Sequence, residues 1–257
     1  MSKDLIGICD LTHTATGSYA TNLMPYPIAS IKSYLLHFSE FKNDFEVKIF
    51  KDPNKFIEWY LSNEPKIIGF SNYVWNKELS CELAREIKSK NPETLIIFGG
   101  PNFPLDDPSR EKWLKEHPEV DLYIIGEAEE SFSKIIDIWQ KTHDLNKIKT
   151  TDVIGCFAIV NDKLFKSSEF SPRIPQLDSI PSPYLEGYLD EFLSDSKLSP
   201  LLESNRGCPF TCTFCVDGIK DRSRVYYKEV SRFEKELEYI ATHYEGKVLT
   251  LADLNFG

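Results

Sequence analysis

The sequence predicts an α/β fold built on a doubly wound parallel sheet, from two observations. Over the first 142 residues short apolar runs alternate with amphipathic helical segments, and after a proline-rich stretch a shorter alternation follows that carries a compact cysteine cluster. The first region supplies most of the core and the second supplies the most unusual chemistry.

Five apolar runs read as strands, at 5–9, 45–50, 67–70, 95–98 and 122–125, each too short for a typical helix and rich in Ile, Val or Phe. Helices lie between them. Ile28, Ile31, Leu35 and Phe38 share one face, Leu79, Leu83, Ala84 and Ile87 share another, and Phe132, Ile135, Ile136 and Trp139 follow helical spacing. Strands that alternate with helices pair in parallel, because parallel neighbours need crossover connections. Five of them predict a flavodoxin-like, doubly wound domain over 1–142. Segments 153–160 and 163–166 flank Asn161-Asp162 and read as a hairpin, so 143–170 is expected to be a hairpin extension. The four prolines of 171–183 remove amide donors and disfavour helix, which makes 171–197 a linker. In 198–257, residues 201–204 read as a strand, 228–244 as a helix with Val230, Phe233, Leu237, Ile240 and Tyr244 on one stripe, and 248–251 as another strand.

Composition narrows the function. A chain of 257 residues with 41% apolar side chains can bury a substantial core. Its net charge of −10 opposes the phosphate attraction of nucleic-acid binders, so nucleic acid is not an expected partner. The longest apolar runs fall far short of the roughly 20 residues that span a bilayer, and the N-terminus lacks a secretory pattern. No membrane partner is expected, and a cytoplasmic location is the default. Six cysteines are too few for a disulfide scaffold, yet three of them fall within eight residues.

Those three stand in Asn205-Arg-Gly-Cys208-Pro-Phe-Thr-Cys212-Thr-Phe-Cys215, with C-x3-C-x2-C spacing. Three thiolates on one loop can hold three corners of a four-iron cluster and leave the fourth iron open to a small chelating molecule. A zinc knuckle and three unrelated buried thiols are the alternatives. Zinc in a structural site wants four ligands, and downstream of Cys215 the only histidine is His243 and there is no cysteine.

The cysteine spacing, the aromatic Phe214 before the last cysteine and the strand before the loop together resemble the signature of the radical S-adenosylmethionine (SAM) superfamily. The resemblance implies a [4Fe–4S] cluster on Cys208, Cys212 and Cys215, SAM chelated to its open iron, Phe214 beside the adenine, and reductive cleavage of SAM to a radical. It also implies that 198–257 is the N-terminal part of an incomplete radical SAM (β/α) barrel, with 249–251 as its second strand. Asp253 and Asn255 would then lie at the end of the barrel where active sites form, although a plain turn explains them equally well.

In the first region, ligands bind open parallel sheets at the carboxyl ends of the strands, which directs attention to three loops. They begin at Ser71, at Gly99-Gly100-Pro101 and at Gly126-Glu127. Paired glycines permit close backbone approach to a flat ligand, but a strand-to-loop turn would use them too, and the acids after Gly126 would also suit a first helical turn. In order, these loops and the proline-rich stretch resemble the cobalamin-binding radical SAM proteins. That resemblance makes the first domain cobalamin-binding-like, with Ser71, Gly99, Gly100, Pro101, Gly126 and Glu127 as cofactor-binding residues. One departure is that Asp10 and His13 do not have the D-x-H-x-x-G spacing of domains that supply a lower histidine ligand, so His13 reads as a loop histidine.

The function implied is a radical SAM methyltransferase using [4Fe–4S], SAM and cobalamin, acting on an unactivated carbon or phosphorus. A small-molecule or peptide substrate and an electron donor such as flavodoxin or ferredoxin would be its partners. A second class is a radical SAM methylthiotransferase, whose extra cluster would need Cys9, Cys81 and Cys156, although these read as core thiols. A third is a short, non-catalytic protein that binds cobalamin or a cluster. Because the sequence stops soon after the cysteine loop, it reads as a fragment of a longer enzyme.

Overall fold

The structure is a computed structural model that describes residues 3–15, 18–168, 173–215 and 223–254, with no account of the side chains at 14, 15 and 18. Two compact units are present: residues 1–21 with 34–171, and residues 22–33 with 172–257.

The first unit contains β1 (Asp4–Cys9), the short β2 (Thr14–Ala15) and β3 (Ser18–Tyr19), and the second half of α1 (Tyr26–Phe38). It continues through β4 (Phe45–Phe50), α2 (Pro53–Asn63), β5 (Ile67–Ser71), α3 (Lys77–Lys90), β6 (Leu95–Gly99), α4 (Asp107–Glu116) and β7 (Leu122–Ile124). Helices α5 (Glu129–Thr142) and α6 (Leu145–Thr150) precede the hairpin of β8 (Cys156–Val160) and β9 (Lys163–Lys166). The main sheet has the order β4-β1-β5-β6-β7-β8-β9. Its first five strands are parallel, and in chain order they run second, first, third, fourth, fifth, the flavodoxin-like arrangement. All five predicted strands are present. Ile6, Ile68, Ile96, Phe98 and Tyr123 are among the fully buried side chains of these strands, so the sheet is the core layer.

Two crossover helices, α2 and α4, escaped the apolar-periodicity reading. Their signals are in the caps: Asp52 accepts from the amides of Asn54 and Lys55 ahead of α2, Asp106 accepts from Ser109 N ahead of α4, and each helix has a proline in its first turn. The hairpin forms as predicted and adds two antiparallel strands beside β7. Its turn works without glycine because Asn161 and Asp162 take φ values of 49° and 60°, the left-handed conformation these two residue types tolerate best.

In the second unit a short 3-10 turn (Leu177–Ser179) and α7 (Asp190–Leu193) precede β10 (Leu201–Leu202). Then come β11 (Asn205–Arg206), β12 (Tyr226–Tyr227), α8 (Val230–His243) and β13 (Thr250–Leu251). β10 and β13 pair in parallel through the α8 crossover, the βαβ step with which a (β/α) barrel begins. The proline-rich segment contributes core: Leu177, Ile180, Tyr184, Leu189, Phe192 and Leu193 are all buried. Tyr184 stacks on Tyr26 with ring centroids 5.8 Å apart and donates to the Leu201 carbonyl at 2.7 Å. The α8 stripe differs from the expected one. Val230 is exposed, whereas Glu236 is fully buried one turn before Ile240.

Candidate cofactor-binding site

The five parallel strands end on one edge of the sheet, and the order of the strands reverses between β1 and β5, the switch point at which such sheets bind ligands. Asp10, immediately after β1, and Ser71, the last residue of β5, meet there. Ser71 Oγ donates to Asp10 Oδ1 at 2.7 Å and accepts from Asn76 Nδ2 at 2.9 Å, while Lys51 Nζ lies 2.9 Å from Asp10 Oδ2. The Lys51 and Asp10 side chains are 3% and 11% exposed, so their charges compensate each other where neither is well solvated.

A second latch ties the β5 and β6 loops together. Asn72 N donates to the Gly99 carbonyl at 2.6 Å and Asn72 Nδ2 to the Asn102 carbonyl at 2.8 Å. Tyr123 OH donates to the Gly100 carbonyl at 2.9 Å. Gly100 has φ of +118°, and a Cβ there would stand 2.8 Å from the Asn72 carbonyl oxygen, so only glycine fits without a shift. Burial, and then the Asp10 carboxylate, push the Tyr73 phenol up to about 12. The Tyr73 and Trp75 rings stack at 4.5 Å and 6°. Trp75, Val74 and Leu105 leave apolar surface exposed on the loops of this edge, beside half-buried Gly99 and Gly100 and exposed Pro101 and Gly126. Bare backbone next to exposed apolar side chains suits a flat macrocycle, so this edge fits the corrin ring expected from the sequence.

The structure therefore brings Ser71, Gly99, Gly100 and Pro101 to one edge, together with Gly126 and half-buried Glu127 after β7. Ser71 spends its proton on Asp10, leaving a lone pair for any ligand. Sequence reading missed Asp10, Lys51, Asn72 and Asn76. Asp10 follows the first apolar run and the two asparagines lie in a flagged loop, but nothing in the spacing pairs Asp10 with Lys51. His13 is exposed.

In the second unit, antiparallel β11 and β12 clamp the two ends of the cysteine segment. Asp253 fixes the turn that leads into it, accepting from Ser204 N at 2.8 Å, from Asn205 N at 3.2 Å and from the Ser204 hydroxyl. Gly207 has φ of +117°, and a Cβ there would lie 2.2 Å from the Arg224 carbonyl oxygen. Cys208 is half-buried, Cys212 and Cys215 are exposed, and all three are free thiols, with Cys215 N donating to the Cys212 carbonyl at 3.1 Å. A set of three accessible soft donors on one clamped loop fits three corners of an iron–sulfur cluster. Phe214 is 91% exposed, available to a ligand and not part of the core. Asn255 lies outside the described residues.

The remaining cysteines behave differently. Cys9, Cys81 and Cys156 are buried on β1, α3 and β8, and burial raises each thiol, Cys81 to about 11 and Cys156 to about 12. They do not converge into one ligand set, and no relative found supports the methylthiotransferase reading. Among the described residues no helix is long and apolar enough to cross a membrane.

No family model matches the chain. It is 32% identical over 201 residues to the cobalamin-dependent radical SAM methyltransferase TokK of Streptomyces tokunonensis, a match covering 76% of this chain and 28% of that protein. The solved structure of the cobalamin-dependent SAM radical enzyme OxsB, with aqua-cobalamin and SAM bound, superposes with a TM-score of 0.71 at 20% identity, over 99% of this chain and 34% of that one. The radical SAM methyltransferase TsrM of Kitasatospora setae, with cobalamin and a [4Fe–4S] cluster bound, gives a TM-score of 0.66 at 15% identity, over 94% of this chain and 47% of that one. The chain thus spans about a quarter to a half of the length of the proteins it resembles. Homology to the first and the shared fold of the other two carry one conclusion: over most of its length the chain is homologous to a portion of the cobalamin-dependent radical SAM methyltransferases.

Proposed function

We propose that this chain is the cofactor-holding portion of a cobalamin-dependent radical SAM methyltransferase. The observation that carries the reading is the pairing of a switch-point edge, with bare glycine backbone and exposed aromatic surface, with a clamped loop of three free thiols in the same chain. Cys208, Cys212 and Cys215 would hold the cluster, Phe214 would cover the adenine of SAM, and the edge from Ser71 through Gly99, Gly100 and Pro101 to Gly126 and Glu127 would hold cobalamin. When bound, the cluster supplies the electron that cleaves SAM, and cobalamin carries the methyl group. The chain's own residues contribute position: Asp253 and Gly207 set the path of the cysteine loop, and the Asn72 latch holds two of the cobalamin-facing loops in register. For the longer protein we assign methyl transfer to an unactivated centre of a small-molecule or peptide substrate, with a flavodoxin or ferredoxin as electron donor.

Anaerobic reconstitution of the full chain with iron and sulfide tests the reading. About four irons per chain are expected, together with binding of added hydroxocobalamin. Replacing Cys208, Cys212 and Cys215 with alanine should abolish iron while leaving corrinoid binding in place. A folded chain that takes up neither iron nor corrinoid overturns it.

A further inference from the structure

Among the described residues, one group of three metal-type donors gathers within 4.8 Å, and it shares no residue with either cofactor site: Cys81 on α3, His117 at the C-terminal cap of α4 and Glu119 ahead of β7. The Cys81 and Glu119 side chains are buried and the His117 side chain is 12% exposed. Glu119 Oε1 is engaged, with His117 Nδ1 at 3.2 Å and Arg85 Nε at 3.4 Å, but Glu119 Oε2 is buried with no hydrogen-bond partner. The neighbouring Asp121 shows the contrast. Its carboxylate is met by Lys88 at 2.6 Å, by Lys149 at 2.8 Å and by the Ile96 amide at 2.9 Å. A bare carboxylate oxygen in a closed pocket is costly unless something cationic completes it.

We propose that Cys81, His117 and Glu119 bind a zinc-class divalent cation that ties α3 to the segment between α4 and β7. Sulfur, nitrogen and oxygen donors are the mixture zinc accepts, and a thiolate, a carboxylate and a neutral imidazole around a dication form a neutral unit suited to burial. Around a tetrahedral zinc such donors stand about 3.3–3.8 Å apart, so closing the present set needs movements of roughly 1 Å. Binding forms one metal–sulfur bond, one metal–nitrogen bond and one metal–oxygen bond, takes a solvent water as the fourth ligand beside the partly exposed His117, and releases the Cys81 proton to solvent. Arg85 remains beside the carboxylate and orients it, as groups behind metal ligands commonly do.

The test is metal counting on the full chain with the cysteine loop silenced. With Cys208, Cys212 and Cys215 replaced by alanine, the chain dialysed against zinc should retain about one equivalent. Cobalt in place of zinc should give a sulfur-to-metal charge-transfer band. His117→Ala in that background should lose both signals while keeping the circular dichroism of the parent. Cys81→Ser is the second variant, expected to keep weak zinc binding but to lose the charge-transfer band. A folded loop-silenced chain that retains no zinc, or zinc retention unchanged by His117→Ala, overturns the proposal. Because the cluster ligands are absent throughout, neither result depends on the function proposed above.

Discussion

Lys228 Nζ lies 3.1 Å from Glu236 Oε2, with the two side chains 3% and 0% exposed, so one ion pair is sealed in the interior of the second unit. It does not stand alone. Arg232 and Ser182 meet Glu236 Oε1 at 2.8 Å and 2.6 Å, and Lys228 also donates to the Tyr26 hydroxyl at 2.8 Å. Ser182 of the proline-rich segment, Lys228 just ahead of α8 and Arg232 within it thus share one carboxylate, and Lys228 links it to Tyr26. Glu236→Ala should destabilise the unit by about 3–5 kcal/mol, because it strands the Lys228 ammonium and the Arg232 guanidinium around an empty position. Glu236→Gln should cost less, since the amide oxygen still accepts. Urea denaturation of the two variants checks the order, and equal losses would show that the retained acceptor oxygen contributes nothing and that the carboxylate charge carries the whole effect.

Gly100→Ala is expected to cost about 1–3 kcal/mol, because an L side chain is strained at its φ of +118° and the new methyl would press on the Asn72 carbonyl. Under the proposed function the same substitution should weaken corrinoid binding severalfold with the iron content unchanged. Spectroscopic titration with hydroxocobalamin measures it. Loss of iron together with corrinoid would instead indicate a global defect.

The parallel strands were legible in the sequence because burial on both faces forces uninterrupted Ile, Val and Phe runs such as 95–98. Helices α2 and α4 were not, since their informative residues are the capping Asp52 and Asp106, which apolar periodicity ignores. The cysteines were legible because three ligands on one loop leave a spacing. Asp10 and Lys51 were not, because the fold alone brings together residues 41 positions apart. Glu236 was invisible for a related reason: a carboxylate on an apolar stripe looks like a solvated face until its buried partners are known.

Alkaline pH should loosen the first unit before it affects ordinary surface groups. Burial, followed by the Asp152 carboxylate, raises the Cys156 thiol to about 12, and burial with Asp10 does the same for the Tyr73 phenol. Below about pH 7.5, a unit under the ordinary thiol value, both groups are protonated whether the chain is folded or not, and stability does not depend on them. From there to about 12 the unfolded chain gives up these protons first, so stability falls by up to about 1.4 kcal/mol per pH unit for each group. Urea midpoints measured across this range under reducing conditions should decline less steeply for Cys156→Ala and for Tyr73→Phe. A slope identical to that of the parent in both variants would assign the alkaline loss to other residues.

Gly207 joins backbone geometry to the proposed cluster. Its position between β11 and Cys208 requires φ of +117°, and a methyl group there would be driven to 2.2 Å from the Arg224 carbonyl oxygen. Arg224 is main chain approaching β12, so the clash cannot be relieved by turning a side chain, and the β11–β12 clamp must part. Gly207→Ala should therefore reduce iron uptake after reconstitution to a small fraction of the parent value, although all three thiols remain. The Ser204–Asp253 contacts lie on the far side of β11, and Asp253→Asn keeps one acceptor oxygen there. It should lower iron content only modestly. Iron analysis of the two variants beside the triple-cysteine variant ranks them: parent, Asp253→Asn, Gly207→Ala, no cysteines. If Gly207→Ala retained full iron, the loop path would not be what presents the thiols, and the clamp would have no part in holding the cluster.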